Sequence, residues 1–217
     1  MKKLFYAYTI TQVVLFITTA ILYFTEVNVP LLIFNVVSCV LGIVFVIITK
    51  RSKDDLIYGV TSISCFMLGA LSFLISLSLR FLPYLFYLLG SVVLFVRIIK
   101  ECLSKLWIKA VVFVVLFGLM ILAYRIFSVE YFIIYMTIPT LALTFVLSIN
   151  KYNNIQSTEK PNYFYLGSSA FFFLIYVVAL SLVGVLPNLD NMLNMCMVVF
   201  FIPSIALNSV SYLNFVK

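Results

Sequence analysis

Three carboxylates and two guanidiniums are the side chains of this 217-residue sequence that are best suited to chemistry. A carboxylate can act as a general acid or base, and a carboxylate beside an arginine can hold a zwitterionic lipid headgroup. The candidate catalytic residues are therefore Glu26, Glu130 and Asp190, and the candidate ligand-binding residues are Arg80 and Arg125. The alternative is that all five are solvated charges in loops.

The rest of the composition narrows the chemistry. The sequence has no histidine, which excludes histidine general bases, haem ligation through histidine and the usual histidine-containing metal sites. None of the four cysteines belongs to a C-x-x-C pair, and three lie in apolar runs, where cysteine behaves as a small hydrophobic residue. We therefore predict neither a metal site nor a cofactor. The cysteines are Cys39, Cys65, Cys102 and Cys196.

The apolar composition shows what kind of protein must position these groups. Hydrophobic residues make up 65% of the chain and charged residues only 10%, against about 25% charged residues in an ordinary soluble domain. A soluble fold of this size could not bury so much apolar surface in one core. The sequence therefore predicts an integral membrane protein with membrane lipids as partners, and it excludes a nucleic-acid-binding module.

Eight apolar runs are long enough to cross a bilayer, because a spanning helix needs about 20 residues. Pro83 separates the third run from the fourth, since proline suits the first turn of a helix. We predict a single all-α domain over residues 1–217, a bundle of eight transmembrane helices. The runs cover residues 4–24, 29–49, 56–79, 81–99, 106–124, 130–149, 163–186 and 192–216.

The basic residues predict the orientation of this bundle. With a cytoplasmic amino terminus, only Arg80 and Arg125 of the fourteen basic residues fall on the outer side. Cytoplasmic loops of membrane proteins carry an excess of lysine and arginine. Both termini are therefore predicted inside, and the five candidate charges outside. The lysine-, asparagine-, isoleucine- and phenylalanine-rich composition is compatible with a bacterial inner membrane.

Polar groups within the predicted spans are almost all neutral. Arg97 is three residues from Lys100, so we expect its side chain to extend to the inner interface, and Lys109 can do the same. The absence of ionisable groups at mid-membrane depth disfavours proton-coupled transport and a charged ion pore. Interhelical hydrogen bonds are expected to occupy most of the neutral groups. These are Gln12, Asn35, Thr137, Thr140, Asn194 and Asn208.

Small residues recur along the third span. Thr61, Cys65 and Gly69 are spaced by four residues, and Ser72 and Ser76 follow near the same face. Small side chains let helices approach closely, so this pattern predicts a central packing helix. The alternative is that the same face lines a polar cavity.

Residues 167–179 contain a recognisable motif. They read GSSAFFFLIYVVA, and Gly167, Phe171 and Ala179 match a pattern similar to G-x-x-x-F-x-x-S-D-x-x-L-A. This segment resembles the late motif of the YhhN, or lysoplasmalogenase-like, membrane family, which also has eight spans. Leu186-Pro187 resembles the turn that follows, and the methionine-rich residues 192–209 resemble the family's final helix.

The resemblance implies a fold and a reaction, but this sequence lacks the family's acids. Family members hydrolyse the vinyl-ether bond of lysoplasmalogens, with intramembrane aspartates as the expected acid–base groups. Here the polar pair of the motif falls on Leu174 and Ile175, and an earlier Gly-Asp element falls on Gly69-Ala70. Cleavage of a vinyl ether needs a proton donor, which these side chains cannot supply.

Three glycines occupy positions that the resemblance marks out. Gly69 belongs to the Gly-Asp element, Gly90 fits a glycine in the family's fourth span, and Gly167 begins the late motif. All three are further candidate ligand-binding residues.

Three functions follow from these observations. The first is a divergent YhhN-like protein that binds a lipid or lysolipid without hydrolysing it. The second is an active lysoplasmalogenase-type hydrolase, which requires at least two of Glu26, Glu130 and Asp190 to converge on one cavity. The third is a small transporter or a subunit that has a membrane-protein partner. It requires a through-going cavity or a large apolar face with small residues.

Overall fold

Seven α-helices and no β-strand make up the part of the chain that the computed structural model describes. The described residues are 2–25, 32–50, 52–75, 81–102, 129–155, 159–183 and 185–213. Each helix is long and apolar enough to cross a membrane, so the chain is an all-helical integral membrane protein. The helices are α1 (Lys2–Phe24), α2 (Leu32–Thr49), α3 (Lys53–Ile75), α4 (Leu82–Cys102), α5 (Val129–Asn154), α6 (Lys160–Leu182) and α7 (Asp190–Val210).

These helices match seven of the eight predicted spans. The remaining span, residues 106–124, lies outside the described residues, so the count of eight stays a prediction, as does the orientation. The bundle has two ends, for which we use neutral names. The proximal end holds the start of α1 and the end of α7, and the distal end holds the end of α1 and the start of α7.

Local sequence sets where several helices begin. The Ser52 hydroxyl accepts a hydrogen bond from the Asp55 backbone N–H and donates one to the Asp55 carboxylate, at 3.0 and 2.9 Å. This cap starts α3 and places negative charge at its amino end. Pro83 lies in the first turn of α4, as predicted. Pro139 and Pro203 lie inside α5 and α7.

A cluster of aromatic rings forms the centre of the bundle, where α3, α4, α6 and α7 meet. The ring centroids of Phe66 and Phe173 are 4.3 Å apart, and those of Tyr176 and Phe201 are 5.1 Å apart. Tyr87 joins this cluster from α4 and hydrogen-bonds to the Tyr176 hydroxyl at 3.0 Å. Each such aromatic pair adds about 0.5–1.5 kcal/mol beyond its burial.

Two glycines allow α3 and α4 to interlock beside this cluster. The Tyr87 ring of α4 packs against Gly69 of α3, and the Phe66 ring of α3 packs against Gly90 of α4. A Cβ atom at Gly90 would lie 2.5 Å from the Phe66 ring, which is too close for a real contact. The glycines therefore make room for two large aromatic side chains at this interface.

The buried small residues of α3 differ from the predicted set. Gly69 and Ser72 are buried as expected, but Thr61 is exposed and Cys65 is half-buried. The inward face instead includes Ser62, whose hydroxyl accepts a hydrogen bond from Asn208 Nδ2 of α7 at 3.2 Å. The prediction for Thr61 was wrong because a four-residue spacing drifts around a helix that turns every 3.6 residues.

Arg97 corrects a second expectation, because its side chain does not extend to the interface. It is 3% exposed and lies between α3 and the residues that follow α7. Its two terminal nitrogens donate to the hydroxyl and the carbonyl oxygen of Ser211, at 2.7 and 2.9 Å. The Asp55 carboxylate is 3.8 Å away, and the guanidinium stacks on the Tyr212 ring at 3.9 Å. We call Asp55, Arg97, Asn208, Ser211 and Tyr212 the proximal cluster.

Helix α1 lies at the edge of the bundle, against α2 and α7. Near its proximal end Tyr8 stacks on Phe45 of α2 with ring centroids 4.1 Å apart. In the middle, the Gln12 amide accepts a hydrogen bond from the Ser38 hydroxyl at 2.8 Å. The opposite face of α1 exposes a stripe of large apolar residues, which suits contact with lipid chains. These include Ile10, Val14, Ile17 and Ile21.

Candidate functional site

A cavity of about 340 Å³ lies between α1, α2, α3, α6 and α7. We call it the distal cavity because all of its lining residues lie within about two turns of the distal helix ends. That level corresponds to the boundary between lipid headgroups and hydrocarbon. The lining residues are Thr19, Tyr23, Leu32, Asn35, Phe73, Tyr176, Leu180, Asn194, Met197 and Val198.

Most of the cavity wall is apolar, and its hydroxyl groups are already bonded within the protein. Thr19 donates to the Leu15 carbonyl oxygen at 2.7 Å, one turn earlier in α1. Tyr23 donates to the Asn191 carbonyl oxygen at 2.9 Å, which ties the end of α1 to the start of α7. The Tyr176 hydroxyl is paired with Tyr87 in the aromatic cluster. These groups therefore shape the cavity more than they offer bonds to a ligand.

Two amide side chains in the wall differ from these hydroxyl groups, because neither is bonded to another described residue. Asn35 on α2 is only 6% exposed, yet its side chain forms no hydrogen bond with any other described residue. The Asn194 side chain on α7, half-buried, likewise has no bonding partner among the described residues. Each amide offers two N–H donors and one carbonyl acceptor. The polar atoms of neither amide are enclosed by protein, so both amides are open to hydrogen bonds with a ligand in the cavity.

The lining residues also limit the chemistry of the distal cavity. None of the ten is charged, and none is a serine, cysteine, lysine or carboxylic acid suited to nucleophilic or acid–base work. Tyr23 donates its phenol proton to the Asn191 carbonyl oxygen, and the Tyr176 hydroxyl shares one hydrogen bond with Tyr87 in which either oxygen can be the donor. The described part of the wall thus suits contact with a largely apolar molecule and a few neutral hydrogen bonds.

A second cavity, the proximal groove, has a volume of about 400 Å³ and lies between α1, α6 and α7. Its deepest polar groups are Tyr8 and Gln12, and these bond to each other at 3.0 Å and to Ser38 through Gln12. Apolar side chains such as Phe16, Phe172 and Leu207 form the rest of its wall. The two cavities share no lining residue.

The candidate charges are placed as follows. Glu26, Arg80 and Arg125 lie outside the described residues. Glu130 belongs to the first turn of α5, but its side chain is not among those described. Asp190 begins α7, is half-exposed and is not one of the residues lining the distal cavity, although Asn194 one turn later is. Convergence of the carboxylates on one cavity is therefore still a prediction.

The candidate glycines lie at helix contacts. Gly69 faces Tyr87 and Gly90 faces Phe66, as described for the interlocked pair. At Gly167 an added Cβ would lie 3.2 Å from the Ser148 Cβ atom of α5. Protein side chains thus occupy the space beside each glycine, and their role toward a ligand stays a prediction.

Sequence reasoning singled out the two cavity amides within a group of six residues, most of which it expected to bond between helices. Of the six neutral polar residues expected to bond between helices, only Gln12 and Asn208 do so. Thr137 and Thr140 donate to carbonyl oxygens of their own helix. The other two are Asn35 and Asn194, which face the distal cavity. Their position near the ends of apolar helices was the only signal in the sequence.

Searches of protein-family models, of curated proteins and of solved structures found no match to this chain. The resemblance to the YhhN family therefore stays a prediction from the residues quoted above.

Proposed function

We propose that this chain is an integral membrane protein that binds a lipid or lysolipid in the distal cavity and does not hydrolyse it. The observation that supports this most directly is the buried, unbonded Asn35 amide in a mostly apolar wall. We further propose that the proximal end faces the cytoplasm of a bacterial inner membrane, as the distribution of basic residues predicts.

The location and lining of the cavity favour a lipid over a water-soluble ligand. The cavity lies among membrane-spanning helices, at the level where the polar part of a lipid meets its chains. A hydrocarbon chain is already out of water in the bilayer, so its affinity for Phe73, Leu180 and Met197 comes from close packing and not from hydrophobic transfer. The amides then orient the polar part of the ligand.

The absence of acids in the described cavity wall is the argument against hydrolysis. Vinyl-ether cleavage requires a proton donor, and the α6 residues that line the cavity are Tyr176 and Leu180. The motif positions that are polar in the YhhN family are Leu174 and Ile175 here. The lipid-binding proposal thus accounts for both the cavity and the missing acids.

The test combines a binding and a hydrolysis measurement on the purified, folded chain in detergent. We expect a tritiated lysoplasmalogen to bind, and we expect no aldehyde release, beside an active YhhN-family protein as positive control. Aldehyde release would overturn the non-hydrolytic proposal and support the hydrolase alternative. D190N would then be compared with wild type, followed by substitutions at Glu26 and Glu130.

A further inference from the structure

We propose that the ligand of the distal cavity has an uncharged, hydrogen-bonding head, such as the hydroxyl and ester groups of a monoacylglycerol. A phosphate, carboxylate or ammonium head is disfavoured. This inference rests on the proposed lipid-binding function and specifies its ligand class. It follows from the charge of the cavity wall, from its free donors and acceptors, and from how the same bundle holds a buried charge elsewhere.

The charge of the wall is the first step. The ten described residues that line the distal cavity are all uncharged. A charged group that leaves water for a site of this kind loses its hydration and gains no ion partner from these residues. An uncharged head avoids that cost.

The free hydrogen-bonding groups are the second step. The hydroxyls of Thr19, Tyr23 and Tyr176 are bonded to other parts of the protein. Asn35 and Asn194 therefore supply the available bonds, and each amide presents donors and an acceptor together. A head with an ester carbonyl and a hydroxyl can satisfy both functions of an amide, whereas a pure hydrocarbon leaves the buried Asn35 amide unpaired.

The proximal cluster shows that a buried charge in this bundle is surrounded by an ion partner and hydrogen-bonding groups. Arg97 has the Asp55 carboxylate 3.8 Å away, two hydrogen bonds to Ser211 and the face of Tyr212. The residues that line the distal cavity offer no comparable set to an anion or a cation. The contrast supports a neutral occupant.

The experiment measures binding of three tritiated probes that share one oleoyl chain: 1-oleoylglycerol, oleoyl-lysophosphatidylcholine and oleate. The full chain is held in one detergent, and the dissociation constant of each probe is compared between wild type and N35L. Each probe partitions into the micelles to the same extent in the presence of either protein. The ratio of its dissociation constants for N35L and wild type therefore isolates the contribution of the amide. We expect 1-oleoylglycerol to bind most tightly and to lose about tenfold in affinity in N35L, with changes below threefold for the other probes.

Two further variants complete the design. N154L makes the same change at an exposed residue near the proximal end of α5 and should leave all three affinities unchanged. V198F fills the distal cavity and should weaken all three probes. Thermal unfolding shows whether each variant is folded, and N194L, with the same expected selectivity, replaces N35L if that protein is not.

The outcomes separate the two proposals. The inference of an uncharged head is overturned if oleate or oleoyl-lysophosphatidylcholine binds as tightly as 1-oleoylglycerol. It is also overturned if N35L and N194L both bind 1-oleoylglycerol with wild-type affinity. In either case the proposal of lipid binding stands. If no probe binds to wild type, or if V198F binds all three as wild type does, the proposed function falls and this inference falls with it.

Discussion

At the proximal end of the bundle a guanidinium is buried among groups that bond to it, and at the distal end an amide is buried beside an open cavity. Arg97 meets Asp55, Ser211 and Tyr212 within 4 Å. Asn35 meets no bonding partner among the described residues, although it is nearly as well buried. The charged Arg97 guanidinium, which costs more to bury than an amide, thus has more bonding partners than Asn35.

This difference separates a structural polar site from the proposed binding site. The proximal cluster also leaves single buried atoms without partners, namely Arg97 Nε, Asn208 Oδ1 and Tyr212 Oη. None of these residues lines either cavity described here, so protein atoms enclose them. An unbonded polar group that borders a cavity can meet a ligand, whereas one enclosed by protein is a local cost of packing.

The largest effect is expected from breaking the proximal cluster. R97A leaves the Asp55 carboxylate buried without its cation and should cost about 3–5 kcal/mol of stability. K100A is the matched control, because Lys100 pairs with Asp54 at an exposed position where an ion pair contributes at most about 1 kcal/mol. Thermal unfolding in detergent measures both. Equal shifts for the two variants would show that the buried pair has no special structural weight.

The same substitution at the two ends should have opposite signs. N208L removes a hydrogen bond to Ser62 in a packed interface and should lower stability by about 1–3 kcal/mol. N35L removes an amide that has no partner and should raise the stability of the ligand-free protein by about 1 kcal/mol. The unfolding midpoints of N208L and N35L test whether the two changes in stability have opposite signs. A large loss of stability in N35L would mean that Asn35 has a structural role.

The smallest effect is expected at the boundary of the distal cavity. Y23F removes the hydrogen bond to the Asn191 carbonyl oxygen, which is exposed, and should cost about 0.5 kcal/mol. Because that bond holds α1 against α7 beside the cavity, we also expect faster exchange of bound 1-oleoylglycerol. Dissociation rates measured by dilution test this, with Y6F on the exposed face of α1 as control. An unchanged rate would show that α1 does not limit access.

The helices could be predicted from sequence because apolar length and polar interruptions determine them almost locally. The second span, predicted over 29–49, is the helix Leu32–Thr49, and the seventh, predicted over 163–186, is Lys160–Leu182. The aromatic centre was not predicted. Tyr87 and Tyr176 are 89 residues apart, and nothing local in the sequence indicates their pairing.

The candidate site could be predicted only in part, because the role of each polar side chain depends on which residues of other helices lie opposite it. Gln12 and Asn35 are similar amides in similar apolar helices, but Ser38 lies opposite the first and a cavity opposite the second. Arg97 lies near a helix end in sequence, which suggested an interfacial position. Its burial depends on Ser211, 114 residues later, so the sequence neighbourhood could not reveal it.

The placement of α1 has a consequence for how the protein is made. Helix α1 is synthesised before the other described helices, yet it packs against α7, the last of them. Arg97 likewise meets Ser211 only after nearly the whole described chain has been synthesised. Until then the buried arginine lacks its closest partners, so the unfinished bundle is held together less firmly than the finished one. The distal cavity needs both α1 and α7, so its wall is incomplete until all seven described helices have been synthesised.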